Sequence, residues 1–209
     1  MAIINVGGRE YGLAVAGNVY TCINTTPGTA IVGHAAATTL DKTKALLHLY
    51  NGGSKVIAPI GLRLKLENAG TAAVTVAFTQ ELDKGPTRYA SGGSEITAVA
   101  TNLSVGTSGA TIHFGAATLT AATTAMRYVG HARYRNVIGV VEDTYLFSWG
   151  APASGPITNL TTLSTGVSSV GINYPAIVIN PGEQFAIYQW AASQSAGYQF
   201  EFQFDFLEG

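Results

Sequence analysis

The chain has 209 residues, of which 11% are charged, and its net charge is −1 at pH 7. Soluble domains usually contain about 25% charged residues, so this surface consists largely of small, uncharged side chains. The balanced charge argues against a broad electrostatic interaction with nucleic acid, and no apolar run approaches the length of a membrane span. We interpret the low charge as a sign of self-association, with a monomer of neutral polar surface as the alternative.

One domain with an N-terminal arm is predicted. A chain of this length can form a single all-β unit with a substantial core, and its one cysteine, Cys22, cannot form an intrachain disulfide. Residues 1–28 are Gly-rich and lack clean alternation, so we interpret them as an arm or edge segment that packs on a neighbouring subunit. A frayed terminus is the alternative. Residues 29–209 form the domain, and the lack of a signal-peptide pattern predicts synthesis in the cytoplasm.

Apolar and polar residues alternate along most of the chain, which predicts β-strands. Two alternating runs within residues 56–80 flank a turn-forming stretch at residues 68–71, and together they predict a β-hairpin. Residues 116–126, rich in Ala and Thr, are the one candidate for a short helix. The other predicted strands, before the last one, are residues 30–36, 45–50, 96–100, 110–114, 126–131, 137–141, 144–149, 176–179 and 184–191.

The clearest alternation closes the sequence. Phe200, Phe202, Phe204 and Phe206 point to one side of a predicted strand. Burying each ring is worth about 1.5–3 kcal/mol, so this strand must pack against a second layer. Many short strands separated by turns predict an antiparallel β-sandwich or barrel. Residues 150–172, rich in Ser, Thr, Gly and Pro, are predicted to be an exposed loop or a subunit-contact loop.

Few residues are candidates for chemistry. His34, His48, His113 and His131 are scattered without metal-binding spacing, and we interpret His48 and His113, which lie in strand-like runs, as structural or interfacial. Cys22 lies in no sequence typical of a nucleophile, and the motifs for a serine nucleophile, a phosphate loop and a dinucleotide site are absent. A zinc site assembled from Cys22 and distant histidines remains an alternative that no spacing supports. We predict no catalytic, metal-binding or cofactor-binding residue.

Two groups of charged residues have a functional alternative. Glu142 and Asp143 are an adjacent acidic pair, which we interpret as a solvated turn in preference to a carboxylate site. A basic cluster with interleaved tyrosines could bind single-stranded nucleic acid, but we favour a charged interface or solvent face because no comparable basic run supports it. This cluster consists of Arg127, His131, Arg133 and Arg135 with Tyr128 and Tyr134.

Exposed aromatic side chains would be needed for a carbohydrate-binding module. The chain has ten tyrosines and two tryptophans. Trp149 and Trp190 lie at the ends of strongly apolar predicted strands, which favours packing in or at the rim of the core over stacking on sugars.

The C-terminal region has a distinctive order of turns and strands. Residues 179–197 combine a Pro181-Gly182-Glu183 turn, an aromatic strand that ends at Trp190, and a turn at residues 193–196, and the Phe-rich strand follows. This order resembles the closing hairpin of jelly-roll virion proteins of tailed bacteriophages. Residues 46–53, which lead into the strand that begins at Val56, are similar to an opening segment of the same proteins.

The resemblance implies a jelly roll that self-assembles, often as a trimer, and attaches to a capsid as a cement, decoration or head-fibre component. It implies no catalytic residue. We therefore expect a non-enzymatic virion protein, most simply a homotrimeric cement or decoration protein that clamps major capsid subunits. Two alternatives remain: a major capsid protein with a single jelly roll, and a receptor-binding or carbohydrate-binding fibre head.

Overall fold

The structure is a computed structural model that describes residues 16–33, 39–68, 75–135, 141–150, 169–191 and 198–209. These residues form fourteen strands and no helix, and so they contain no helix long and apolar enough to cross a membrane. The strands are β1 (Val19–Ile23), β2 (Ile31–Val32), β3 (Lys44–Asn51), β4 (Ile57–Asn68), β5 (Thr75–Lys84), β6 (Tyr89–Ser91), β7 (Ser94–Ile96), β8 (Val99–Ala100), β9 (Ala110–Leu119), β10 (Arg127–Arg135), β11 (Thr144–Trp149), β12 (Ser169–Tyr174), β13 (Glu183–Ala191) and β14 (Gln199–Glu208).

The strands form two seven-stranded sheets that pack face to face. Sheet A has the order β12-β11-β4-β14-β1-β8, and β2 also pairs with β14. Sheet B has the order β10-β5-β13-β3-β9-β6, and β7 also pairs with β9. Pairing is antiparallel between the described strands, except that β11 and β12 are parallel. The predicted all-β sandwich is confirmed.

The connectivity of the eight main strands is consistent with a jelly roll. Sheet A contains the run β1-β14-β4-β11, and sheet B contains the run β3-β13-β5-β10. Along these eight strands the chain changes sheets at every step except the one from β5 to β10. Strands that follow one another in sequence therefore face each other across the core more often than they pair.

The predicted hairpin over residues 56–80 is wrong for this reason. Its halves are β4, which pairs with β14 and β11, and β5, which pairs with β10 and β13. Leu64 of β4 and Phe78 of β5 are buried in the same core from opposite sheets. The closing hairpin in the resemblance fails in the same way, because β13 lies in sheet B and β14 in sheet A.

Several other predicted elements differ from the structure. The candidate helix at residues 116–126 is wrong, because residues 116–119 extend β9 and residues 120–126 are not helical. The predicted strand at residues 96–100 is divided between β7 in sheet B and β8 in sheet A. Residues 176–179 contain only an isolated bridge, from Ile179 to Ile57. Most of the predicted strand 137–141 lies outside the described residues.

The core lies between the sheets and is rich in aromatic rings. Phe200, Phe202, Phe204 and Phe206 are all buried, as the alternation predicts. The Phe202 ring stacks on Phe114 of sheet B, with the ring centroids 3.9 Å apart. The C-terminal strand thus joins the two sheets through its apolar face.

The segment predicted as an arm contributes a strand to this sandwich. β1 pairs with β14 on one side and with β8 on the other, and its Tyr20 and Cys22 belong to the core. Residues 1–15 lie outside the described residues, as do residues 151–168 of the predicted loop. The end of that predicted loop, residues 169–172, belongs to β12.

Candidate functional site

The outward face of sheet B carries a buried cluster of charged and polar side chains. The Arg88 cluster consists of Arg88, Glu81, Asp83 and Tyr188, and each of these side chains is almost completely buried. Glu81 and Asp83 alternate with the core residues of β5, so they point away from the core. The segments at residues 40–43, 85–89 and 120–124 cover them, as the hydrogen bonds of Arg88 show.

Arg88 connects three segments of chain to sheet B. Its guanidinium forms an ion pair with Glu81, and its Nη1 lies 3.5 Å from Asp83 Oδ2. Its Nη2 donates to the carbonyl oxygen of Lys42 at 2.9 Å, and its Nε donates to that of Thr120 at 3.0 Å. Hydrogen bonds to a buried ion are stronger than those between neutral groups, so Arg88 is the main polar link between these segments.

The two carboxyl groups of the cluster have different environments. Burial raises the pKa of Glu81, although Arg88 and the Tyr188 hydroxyl oppose this shift. Burial also disfavours the charged form of Asp83, but hydrogen bonds from Thr123 and from the Lys84 N–H outweigh it and lower the pKa of Asp83. All four side chains of the cluster are shielded from solvent, so this geometry holds covering segments in place and offers no open surface to a substrate.

Two histidines lie beside the Arg88 cluster. His48 of β3 and His113 of β9 are cross-strand neighbours, and the Tyr89 ring stacks on His113 with the centroids 3.6 Å apart. The Gln184 Oε1 atom accepts from the Arg88 N–H at 2.9 Å and lies 3.0 Å from His48 Nε2. Because Oε1 can only accept, Nε2 carries the proton of His48. The buried Nδ1 atoms of both histidines have no hydrogen-bond partner among the described residues.

Burial keeps both histidines neutral. It lowers the pKa of His48 to about 4, and the neighbouring His113 and Arg88 add to this shift. It also lowers the pKa of His113, against the opposing charge of Glu95. Within the part of the chain that the structure describes, no three His, Cys, Asp or Glu residues converge as metal ligands. His34 lies outside that part.

The basic cluster predicted from sequence lies on β10, at one edge of sheet B. Arg133 lies over the Trp190 ring, 4.9 Å from its centroid. His131 Nδ1 is 3.0 Å from Thr79 Oγ1, and the His131 ring stacks loosely against Trp190. Lys42 lies over the Tyr128 ring at 5.1 Å. Arg133 and Tyr128 remain exposed, and the cation–π contacts hold these side chains against their neighbours on the surface of sheet B.

The remaining candidates have structural surroundings. Cys22 is buried, its thiol donates to the Phe204 carbonyl oxygen at 3.5 Å, and burial raises its pKa, which opposes thiolate formation. Trp149 is buried and its Nε1 donates to Gln80 Oε1 at 2.9 Å. The predicted core packing of Trp149 is confirmed, while Trp190 lies half-buried on the outward face of sheet B.

The two acidic residues of the turn, Glu142 and Asp143, have different environments. Glu142 adopts a left-handed φ of 81°, and its carboxylate is exposed and lies 2.9 Å from Lys65 Nζ. Asp143 is buried. The predicted turn is confirmed, but the expectation that both carboxylates are solvated is wrong, because the chain reverses at Glu142 and turns Asp143 inward.

The outward face of sheet A is open and differs from that of sheet B. We call it the sheet A outer face, and its central residues are Thr21 and Ile23 of β1, Gly61, Arg63 and Lys65 of β4, Leu146 and Ser148 of β11, and Glu201, Gln203 and Asp205 of β14. A shallow groove of about 410 Å³ crosses it over Gly61 and Gly171. Lys65 lies among the acidic residues of this face, and its Nζ is 2.8 Å from the Glu67 carboxylate and 3.9 Å from the Glu201 carboxylate.

No known protein family matches this chain, and neither a curated protein nor a solved structure resembles it significantly.

Proposed function

We propose that this chain is a non-enzymatic structural protein of a virus particle that self-associates and clamps neighbouring capsid subunits. The resemblance of the C-terminal sequence to jelly-roll virion proteins supports this role. A sandwich whose connectivity is consistent with a jelly roll supports it. The physical advantage of such a protein is repetition, because many weak, symmetric contacts add up to firm attachment.

The observation that carries the proposal is the sheet A outer face. It is open, and apolar side chains such as Leu146, Ile23 and Val99 stand exposed on it or at its edge. Between them lie small residues, Gly61 and Ser148, that leave room for a partner. The charged residues of the face have both signs, Arg63 and Lys65 on β4 and Glu201 and Asp205 on β14, so a partner that covers the face can pair them.

The Arg88 cluster supports a structural role for sheet B as well. Its charged groups form the hydrogen bonds and ion pairs that hold the covering segments, and the cluster is closed to molecules of substrate size. A rigid, covered face on one side and an open face on the other suit a subunit that is built into a larger assembly.

The test is the mass of the purified protein at micromolar concentration, measured by native mass spectrometry and light scattering. We expect three chains or a multiple of three. A dimer would keep self-association but replace the threefold symmetry, whereas a clean monomer would overturn the self-association on which the proposal rests.

A second measurement separates the alternatives. Particles that carry the protein should withstand a higher temperature before releasing their genome than particles that lack it. Closed shells formed by the protein alone would instead identify the major capsid protein. Binding to bacterial surface sugars on a glycan array would identify a fibre head.

A further inference from the structure

We propose that the sheet A outer face is the docking surface for a second copy of this chain. The two copies face each other across a twofold axis that is parallel to the strands and lies above the boundary between β4 and β14. This inference rests on the proposed self-association and names its surface. Its basis is the arrangement of side chains across the face: the outer strands β11 and β1 present residues of matching type, and the central strands β4 and β14 present residues of opposite charge.

The middle row of the face shows this symmetry most clearly. The pairing registers place Leu146, Arg63, Gln203 and Ile23 side by side on β11, β4, β14 and β1. Both ends of the row are apolar and exposed, Leu146 by 39% and Ile23 by 47%. The two central positions are polar. A twofold axis through the centre of this row lays Leu146 over Ile23 of the second copy and Arg63 over Gln203.

The rows on either side obey the same rule. In one, the register gives Ser148, Gly61, Asp205 and Thr21, so hydroxyl faces hydroxyl and the carboxylate of Asp205 faces the space above Gly61. In the other row, Lys65 and Glu201 are neighbours. Lys65 of one copy would face Glu201 of the second copy, and Glu201 would face Lys65. Face-to-face sheets pack about 10 Å apart, a distance that such side chains can bridge.

Charge complementarity identifies the occupant as a second copy. The outward side chains of β4 include Arg63 and Lys65, while those of β14 include Glu201 and Asp205. The basic residues of β4 and the acidic residues of β14 form two neighbouring columns. When the twofold axis lies between these columns, the basic column of each copy covers the acidic column of the other. The same operation also places apolar β11 and β1 residues against each other, which a purely electrostatic partner would not require.

This contact is isologous, so it joins copies in pairs. A trimer closes through a different, heterologous contact. If both contacts exist, the assembly contains six chains and separates into trimers when the sheet A outer face is disrupted. If only the twofold contact exists, the assembly is a dimer.

The experiment compares the masses of charge variants. Arg63→Asp and Asp205→Arg each place like charges in the contact, so each should weaken pairing at least about tenfold and halve the mass at micromolar concentration. The double variant, Arg63→Asp with Asp205→Arg, restores opposite charges across the axis and should recover the wild-type mass. A double variant that stays at half mass would contradict the twofold arrangement.

An apolar variant tests the same surface independently. Leu146→Asp should also halve the mass, while Tyr128→Asp, which puts the same charge on an exposed residue of sheet B, should leave it unchanged. Circular dichroism checks that every variant is folded. A wild-type trimer that none of these variants alters would overturn this inference and leave the proposed function standing, whereas a wild-type monomer would overturn both.

Discussion

Arg88 and Glu81 form an ion pair in which the side chains are only 3% and 1% exposed. The pair lies on the outward face of sheet B, outside the main core, and the covering segments exclude water from it. Buried charges are costly unless they are paired, so the two residues depend on each other. Arg88 is therefore the residue whose loss would leave the buried Glu81 carboxylate beneath the covering segments without its ion-pair partner.

Replacing Arg88 should destabilise the protein strongly. Arg88→Met keeps much of the side-chain volume but leaves Glu81 and Asp83 without their cation, which should lower the free energy of unfolding by about 3–5 kcal/mol. Urea denaturation followed by tryptophan fluorescence measures this change. Arg127→Met is the matched control, because Arg127 is exposed, and it should change stability by less than about 0.5 kcal/mol. Equal effects of both substitutions would refute the clamping role.

The protein should lose stability as the pH falls through the range in which histidine normally protonates. Burial lowers the pKa of His48 to about 4 from its ordinary value of 6.5, so the unfolded chain binds a proton more readily than the folded one between these values. The stabilisation by neutral His48 is complete above pH 6.5 and is lost as the pH falls towards 4. Linkage gives a loss on the order of 3 kcal/mol from this residue.

The measurement is the urea midpoint at intervals from pH 7.5 to 4. His113, whose pKa is also lowered, adds to the loss, and Glu81, whose pKa is raised, opposes it. His48→Gln cannot become charged and should flatten the profile. If the wild-type and His48→Gln profiles run parallel, protonation of His48 does not contribute.

Two leucines test the location of the core. Leu64 is fully buried on β4, whereas Leu103 is fully exposed. Leu64→Ala removes packed methyl groups and leaves a cavity, so it should cost about 2–5 kcal/mol of unfolding free energy. Leu103→Ala removes the same atoms from solvent and should change stability by less than about 0.5 kcal/mol. A chemical denaturation curve for each variant gives the comparison, and a cost below about 1 kcal/mol for Leu64→Ala would contradict its position in the core.

Gly115 should not tolerate a side chain. It has a φ of +75°, and a Cβ atom there would lie 2.3 Å from Ile31 Cγ2 and 2.6 Å from the Val32 carbonyl oxygen. Gly115→Ala should therefore lower stability by about 1–3 kcal/mol. At Gly106 a Cβ atom would meet nothing within 4 Å, so Gly106→Ala is the matched control. The two thermal midpoints should differ by several degrees, and coincident midpoints would exclude the close approach of β2 to β9.

Alternation predicts which side chains are buried but not which sheet a strand joins. The Phe side chains of β14 and the leucines of β4 face the core as expected, because a period of two is a property of the strand alone. The partner of each strand depends on connections between sheets. A short polar turn between two alternating runs is compatible with both a hairpin and a change of sheet. The local sequence of residues 56–80 therefore does not distinguish a hairpin from two strands in different sheets.

The Arg88 cluster had no detectable signal in the sequence. Thr79, Glu81 and Asp83 occupy every second position along β5, and a row of polar residues at that spacing is also the pattern of a solvent-exposed strand face. Their burial depends on segments distant in sequence, at residues 40–43 and 120–124. The cross-strand pairing of His48 and His113 is likewise set by register, so two isolated histidines in the sequence become neighbours only in the folded sheets.

The positions of β13 and β14 affect how the chain folds during synthesis. Each lies inside its sheet, between β5 and β3 in sheet B and between β4 and β1 in sheet A. The ribosome releases both after the strands that flank them, so until then each sheet consists of two unjoined halves with exposed inner edges. Such an order delays native pairing and prolongs exposure of aggregation-prone edges. We therefore expect the nascent chain to depend on chaperones until its last strands have emerged.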